Sequence, residues 1–202
     1  MDARKAALAL AFTLLGSSAQ ASNFSYTFLE GNIGSTEFDD SITIGNETYD
    51  GLLYFSGTGS YQSKENVTLE ASVNRGINEG DDSEINATEV SVAGGYPFAV
   101  TDSIDIYPQI GFLRSSAEVC FRGTCADTSD SGGLAALKTR AWLTRDRLEI
   151  GARIARTTLD DADTSVGFNI GWWFSPDEAR LSLGVSTVDD ETTYAGGFRL
   201  QF

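Results

Sequence analysis

From residue 23 to its last residue, the chain repeatedly alternates large apolar side chains with small or polar ones. A period of two is the signature of a strand with one apolar and one polar face. The first run, Asn23 to Ile33, places Phe24, Tyr26 and Phe28 on one face. Gly51 to Tyr61 shows Leu53, Phe55 and Tyr61, and Asn66 to Arg75 shows Val67, Leu69, Ala71 and Val73. Asn86 to Phe98 shows Val90, Val92, Tyr96 and Phe98, and Ile104 to Ser115 shows Ile104, Ile106, Ile110 and Phe112. Gly133 to Thr144 carries Leu137, Thr139, Ala141 and Leu143, and Arg147 to Thr158 carries Leu148, Ile150, Ala152 and Ile154. Thr164 to Phe174 carries Val166, Phe168, Ile170, Trp172 and Phe174, and Ala179 to Thr187 carries Leu181, Leu183 and Val185. The tenth run ends the chain, with Tyr194, Phe198, Leu200 and Phe202 on one side and Ala195, Gly197, Arg199 and Gln201 on the other.

Ten runs of about 10–13 residues are too long for ordinary soluble strands and match tilted membrane-crossing ones. The pattern predicts an all-β fold: a closed antiparallel up-and-down transmembrane barrel of ten strands, or eight if two runs are misread. A secreted β-sandwich is the competing fold, with shorter strands whose apolar faces meet each other. An even strand count puts both termini on one side. Four short turns then lie on the periplasmic side, and five acidic connections lie outside, among them Gly34 to Asp50, Gly76 to Ile85 and a loop holding both cysteines. Phe24, Tyr61, Phe98, Trp172, Phe174 and Phe202 fall together near the periplasmic ends, as an aromatic girdle would. Pro108 interrupts the fifth run and predicts a bulge there. Trp142 shares parity with Lys138 and Arg140, so it points inward or the register slips.

The beginning of the chain changes the compartment. Arg4 and Lys5 precede an apolar run from Ala6 to Leu15, and Ala19-Gln-Ala21 has the form of a signal-peptidase site. Residues 1–21 read as a secretory signal peptide, too short to span a bilayer, and residues 22–202 as one barrel domain. Removing Asp2, Arg4 and Lys5 with the signal leaves 12 bases and 28 acids, a net charge of −16. Such acidity excludes nucleic acid as a partner. Four N-x-S/T triplets, at Asn23, Asn46, Asn66 and Asn86, read as chance matches in a Ser/Thr-rich chain.

The face opposite the apolar one predicts the lumen. Its charged residues are Glu70, Glu89, Asp105, Lys138, Arg140, Glu149, Arg153 and Arg199, four acids and four bases. A barrel this narrow is filled by side chains, and charges inside must be paired. The balanced set reads as an ion-paired plug, with a small ion pathway as the alternative. Cys120 and Cys125, five positions apart in an exported chain, read as a structural disulfide, with Gly123 supplying the turn. A redox or metal role for them lacks a His ligand and a basic cluster. The outer connections gather Asp and Glu residues, including Asn78-Glu-Gly-Asp-Asp-Ser-Glu84. They read as a hydrated rim, and divalent cations could bridge them to one another or to lipopolysaccharide phosphates. No cofactor site is expected.

The terminal Tyr194-Ala-Gly-Gly-Phe-Arg-Leu-Gln-Phe202 resembles the C-terminal strand signal of bacterial outer-membrane β-barrels, which is read by the assembly machinery. With the architecture of the whole chain after the signal, it resembles the broad class of small, porin-like outer-membrane barrels of Gram-negative bacteria, without selecting one member. That resemblance implies outer-membrane localisation and contact with outer-membrane lipid, lipopolysaccharide and the assembly machinery. The class includes enzymes: the omptin proteases, the palmitoyltransferase, the lipid A deacylases and the phospholipase all rely on His. This chain has none, so none of their catalytic residues carries over. His is the side chain suited to general base work near neutrality, and G-x-S-x-G, Walker and H-E-x-x-H motifs are also absent. The expected role is non-enzymatic, in envelope integrity or surface interaction. A narrow passive channel is the second reading, and a hydrolase with an unusual carboxylate site the third.

Overall fold

The computed structural model describes residues 24–159, 163–175 and 178–202. The predicted signal peptide, Asn23, Asp160, Asp161, Pro176 and Asp177 lie outside these. The described residues form eleven antiparallel strands. In order they are β1 (Phe28–Ile44), β2 (Glu47–Gln62), β3 (Thr68–Glu79), β4 (Ser83–Gly95), β5 (Phe98–Thr101), β6 (Ile104–Phe121), β7 (Thr124–Thr144), β8 (Leu148–Thr157), β9 (Thr164–Ser175), β10 (Ala179–Val188) and β11 (Glu191–Gln201). Chain neighbours pair from β1 to β4 and from β5 to β11, β11 pairs with β1, and β4 pairs directly with β6. The short β5 only extends β4 past an interruption at Tyr96-Pro97, so the wall is a closed barrel of ten strands. Closure leaves no free edge and satisfies the backbone internally, which a bilayer requires.

The register sets the barrel's shape. Paired residues followed once round the wall from Thr139 run through Ala152, Phe168, Val185, Tyr194, Ser35, Leu53, Ile77, Asn86 and Glu118. The path returns to β7 at Asp127, twelve residues from its start. That stagger tilts the strands by about 40°. Both described termini and the short turns share one end, the inner end. The long hairpins define the outer end.

Alternation assigns the faces. Leu53, Phe55, Leu69, Val73, Val90, Val92, Ile110, Phe112, Phe168, Ile170, Leu181 and Leu183 all point outward and are exposed. Tyr61, Trp172, Phe174 and Phe202 form an exposed aromatic ring at the inner end, with Phe98 half-buried against Tyr96. Phe24 is a correction to the predicted ring. It is buried and stacks on Trp142 inside the barrel, with ring centroids 5.0 Å apart. Phe24, Tyr26 and Phe28 face the lumen, and Leu29 and Ile33 face outward. Trp142 points inward, and the β7–β8 register also shifts between Trp142 and Thr144.

Two other expectations change. The segments read as long outer loops are largely strand. β1 runs to Ile44 before turning at Gly45, β3 runs to Glu79, and β6 and β7 meet at Arg122-Gly123. Arg122 and Gly123 both have positive φ, 49° and 78°, as a two-residue hairpin turn requires. Pro108 creates no bulge in β6, whose pairing with β7 is continuous through it. Its carbonyl accepts the Tyr96 N–H at 3.3 Å, so its backbone polar groups face the interruption at Pro97. The missing N–H therefore falls on the side where the neighbouring strand is interrupted, and the ladder to β7 is untouched.

Candidate functional site

The segment 24–27 continues the inward parity of β1 and enters the barrel at its inner end. The Phe24 ring lies under the Arg140 guanidinium, 4.4 Å from its centroid, and Arg140 also lies 5.0 Å from the Tyr26 ring. Such cation–π contacts strengthen when desolvated. Arg140 Nη1 donates to the Ser25 carbonyl at 3.0 Å. Tyr26 packs edge-on against Tyr107 at 4.9 Å, and its hydroxyl donates to Asp105 at 3.4 Å. Trp142 lies 6.1 Å from Trp173. Tyr107, Trp173 and Asp105 are at most 2% exposed.

Glu149 is the hub of this layer and is 1% exposed. Its carboxylate accepts two bonds from Arg140 at 2.9 Å, one from Arg180 Nη1 at 2.6 Å and one from Trp173 Nε1 at 2.9 Å. Arg180 lies flat across Gly171, where an added Cβ would stand 2.6 Å from Arg180 Cδ. Its other terminal nitrogen reaches Glu30 at 3.3 Å, and Glu30 also pairs with Arg199 at 2.5 Å. The Arg199 guanidinium sits 3.9 Å over the Phe28 ring. Lys138 pairs with Glu70 at 2.6 Å. Above this layer lies a cavity of about 210 Å³.

The eight lumen residues named from sequence all occupy inward positions, but they do not form one cluster. Arg140 and Glu149 meet directly, as do Lys138 and Glu70. Asp105 is the cross-strand partner of Arg140. Glu89 stands apart, accepting from Asn74 at 2.9 Å, and Arg153 donates to Ser165 Oγ at 3.4 Å. Glu30 and Arg180 were missed. Both carry the inward parity: Glu30 alternates with Leu29 and Ile33, and Arg180 precedes Ser182 and Gly184 opposite Leu181 and Leu183. With them the lumen set becomes five acids and five bases.

This charged interior stands inside a wall whose outward face is apolar through its middle, and the family comparison agrees. The sequence profile of the family described as the outer membrane protein beta-barrel domain matches residues 7–175. The chain belongs to that family. It is a bacterial outer-membrane β-barrel. No curated protein sequence matches it. Among solved structures it is similar to Ail, the attachment invasion locus protein of Yersinia pestis, at 13% identity and a TM-score of 0.46, covering 87% of this chain and 100% of that one. It is also similar to the KdgM porin at 13% identity and 0.46, covering 86% and 99%. The N-terminal barrel domain of Pseudomonas aeruginosa OprF matches at 10% identity and 0.46, covering 88% and 98%.

In this outer-membrane barrel, three hairpin tips lock together beyond the outer end of the wall. Glu47 on the β1–β2 hairpin accepts the backbone N–H groups of Asp81 and Asp82 at 2.6 and 2.9 Å, and the hydroxyls of Ser83 and Tyr49. The β6–β7 tip contributes Phe121, which fills the space above Gly45, and Arg122, which pairs with Asp82 at 3.1 Å. Cys120 and Cys125 are cross-strand partners just below that tip and are disulfide-bonded. Across the mouth, burial and the carboxylates of Asp189 and Asp163 push the Glu191 carboxyl up.

The bonds from Ser83, Asp82, Tyr49 and Asp81 hold the Glu47 carboxyl at about 2, against an ordinary value of 4.5. A depressed carboxylate stabilises the fold above its unfolded value and loses that contribution as pH falls through its folded value. The tie between the first two hairpins is therefore complete above 4.5 and lost near 2. Hydrogen exchange at the Asp81 and Asp82 amides checks this. Glu47→Gln should lower their protection at neutral pH, and the difference from wild type should vanish near pH 2. Equal protection in both proteins at neutral pH would show that the tie carries no weight.

Proposed function

We propose that the protein is a non-enzymatic outer-membrane barrel with a role in envelope integrity or surface interaction, its lumen closed at the inner end by the plug around Glu149. The observation that supports this most is the convergence of Arg140, Arg180 and Trp173 on one buried carboxylate. Segment 24–27 lies against Arg140 from the inner end. Buried groups so fully bonded are held rigidly, so this layer suits a stopper better than a conduit. What meets the outside is the locked, acidic set of hairpin tips.

Outer-membrane lipid is the natural partner of the wall. Arg75, Arg114 and Arg156 point outward near the outer ends of β3, β6 and β8 and are exposed. They are placed for lipopolysaccharide phosphates, and divalent cations would bridge the rim carboxylates to the same groups. Tyr194, Phe198 and Leu200, on the outward face of β11, and Phe202 just after it, would present the terminal signal to the assembly machinery.

Planar-bilayer recording tests the closed lumen. The refolded protein is expected to give no steady open-channel current at neutral pH. Sustained ohmic currents would establish the narrow passive channel instead. Loss of the gene is expected to raise detergent sensitivity or reduce surface binding. A mutant unchanged in both would overturn the structural and surface role.

A further inference from the structure

The plug leaves one charge arrangement unexplained. Lys138 and Arg153 are direct cross-strand partners, and both point into the lumen. Directly opposed side chains stand about 5 Å apart at Cβ, and like charges in that position are destabilising. Lys138 is compensated by Glu70. Arg153 makes a long bond to the Ser165 hydroxyl and lies near Tyr54, with no ion pair to a carboxylate among the described residues, and it remains exposed inside the lumen.

Both residues line the cavity of about 210 Å³, and the cavity as a whole is unbalanced. Arg140, Arg180, Arg199, Lys138 and Arg153 border it, against the carboxylates of Glu30, Glu70 and Glu149. Glu89 and Asp105, which balance the lumen set overall, are not among its lining residues. Five cations and three anions leave a local charge of +2.

We infer that this cavity is a binding site for a small, doubly charged oxyanion of sulfate or phosphate size. Arg153 and Lys138 hold it from β8 and β7, and the Arg180–Arg199 side bounds it. A dianion cancels the local excess, separates the opposed cations and offers oxygens to guanidinium forks, which match oxyanion geometry. The ligand is a free ion and not a lipid headgroup, since the site faces the lumen. The inference is independent of whether the plug conducts.

The test uses the full refolded chain in detergent with sodium sulfate as probe, against sodium chloride at equal ionic strength. Wild-type protein is expected to bind sulfate saturably in calorimetry. Its heat-modifiability midpoint should rise with sulfate and not with chloride. Arg153→Gln is expected to weaken binding by about tenfold or more, the loss of one charge-assisted contact. In chloride alone the same variant is expected to unfold at a higher temperature than wild type, because the like-charge pair is gone. Lys64→Gln, on an exposed inner turn, is the control and should bind as wild type. Equal effects of sulfate and chloride would reduce the observation to screening. Undiminished sulfate binding by Arg153→Gln would make it an adventitious ion only. A variant less stable than wild type in chloride would give Arg153 a purely structural role. Each of these three results overturns the site.

Discussion

Glu149→Gln is expected to cost about 3–5 kcal/mol of barrel stability, the penalty for breaking a buried ion pair by removing one partner. The wild-type carboxylate accepts four hydrogen bonds, three of them from two guanidiniums that are nearly inaccessible to water. An amide keeps the shape but offers one neutral oxygen and turns an N–H₂ group toward donors. Arg140 and Arg180 then compete for that one oxygen, beside the Ser25 carbonyl that Arg140 keeps and the Glu30 carboxylate that Arg180 keeps. The measurement is urea unfolding of the protein in lipid vesicles. Tryptophan fluorescence is a direct reporter, because Trp142 and Trp173 sit in the layer around Glu149. A double-mutant cycle with Arg140→Met sharpens the result. The second substitution removes one stranded cation, so the double variant is expected to lose less than the two single losses added together. A loss under about 1 kcal/mol for Glu149→Gln would place it among ordinary surface contacts and remove the physical basis of the plug.

The layer around Glu149 also marks where the sequence could be read and where it could not. Most strands were legible because lipid on one side and a polar lumen on the other impose strict alternation, as in Leu181, Leu183 and Val185 of β10. The same rule failed at β1. There the largest aromatics, Phe24, Tyr26 and Phe28, fill the lumen end, and the lipid face carries only Leu29, Gly31 and Ile33. Hydrophobicity pointed the wrong way, but the polar residues did not: Glu30 and Asn32 share the parity of Phe28 and face inward. Beyond the apolar band, alternation disappears because both faces meet water. The strand carrying Glu37, Asp39 and Asp40 therefore read as loop, although β1 continues to Ile44. Inward position was recoverable from parity alone, but the partner of each charge was not. Arg180 meets Glu30 from 150 residues away, an encounter that depends on the stagger of the closed wall.

Closure of that wall rests on the β1–β11 seam, and Gly34→Val is expected to prevent it. The seam pairs Phe28 through Phe38 with Gln201 through Glu191 without a shift in register, and Phe202 N–H bonds Thr27 O at 3.0 Å. At Gly34 the strands approach so closely that a Cβ would stand 1.8 Å from the Tyr194 carbonyl oxygen and 2.7 Å from Ala195 Cα. Both are backbone atoms, and neither can swing aside as a side-chain tip would. A branched side chain must therefore spread the seam, break ladder bonds and expose backbone polar groups to lipid, where water cannot replace the lost partners. The overpacking alone costs about 3 kcal/mol or more. Gly31, three residues earlier on the same strand, is the internal comparison: its Cβ would meet nothing nearer than Ser56 O at 3.9 Å. Gly31→Ala is expected to refold into vesicles and to show the heat-dependent gel shift of a closed barrel. Gly34→Val is expected to show no shifted species under the same conditions. A normal gel shift for Gly34→Val would mean that the seam accommodates a side chain there and that close backbone approach does not determine closure.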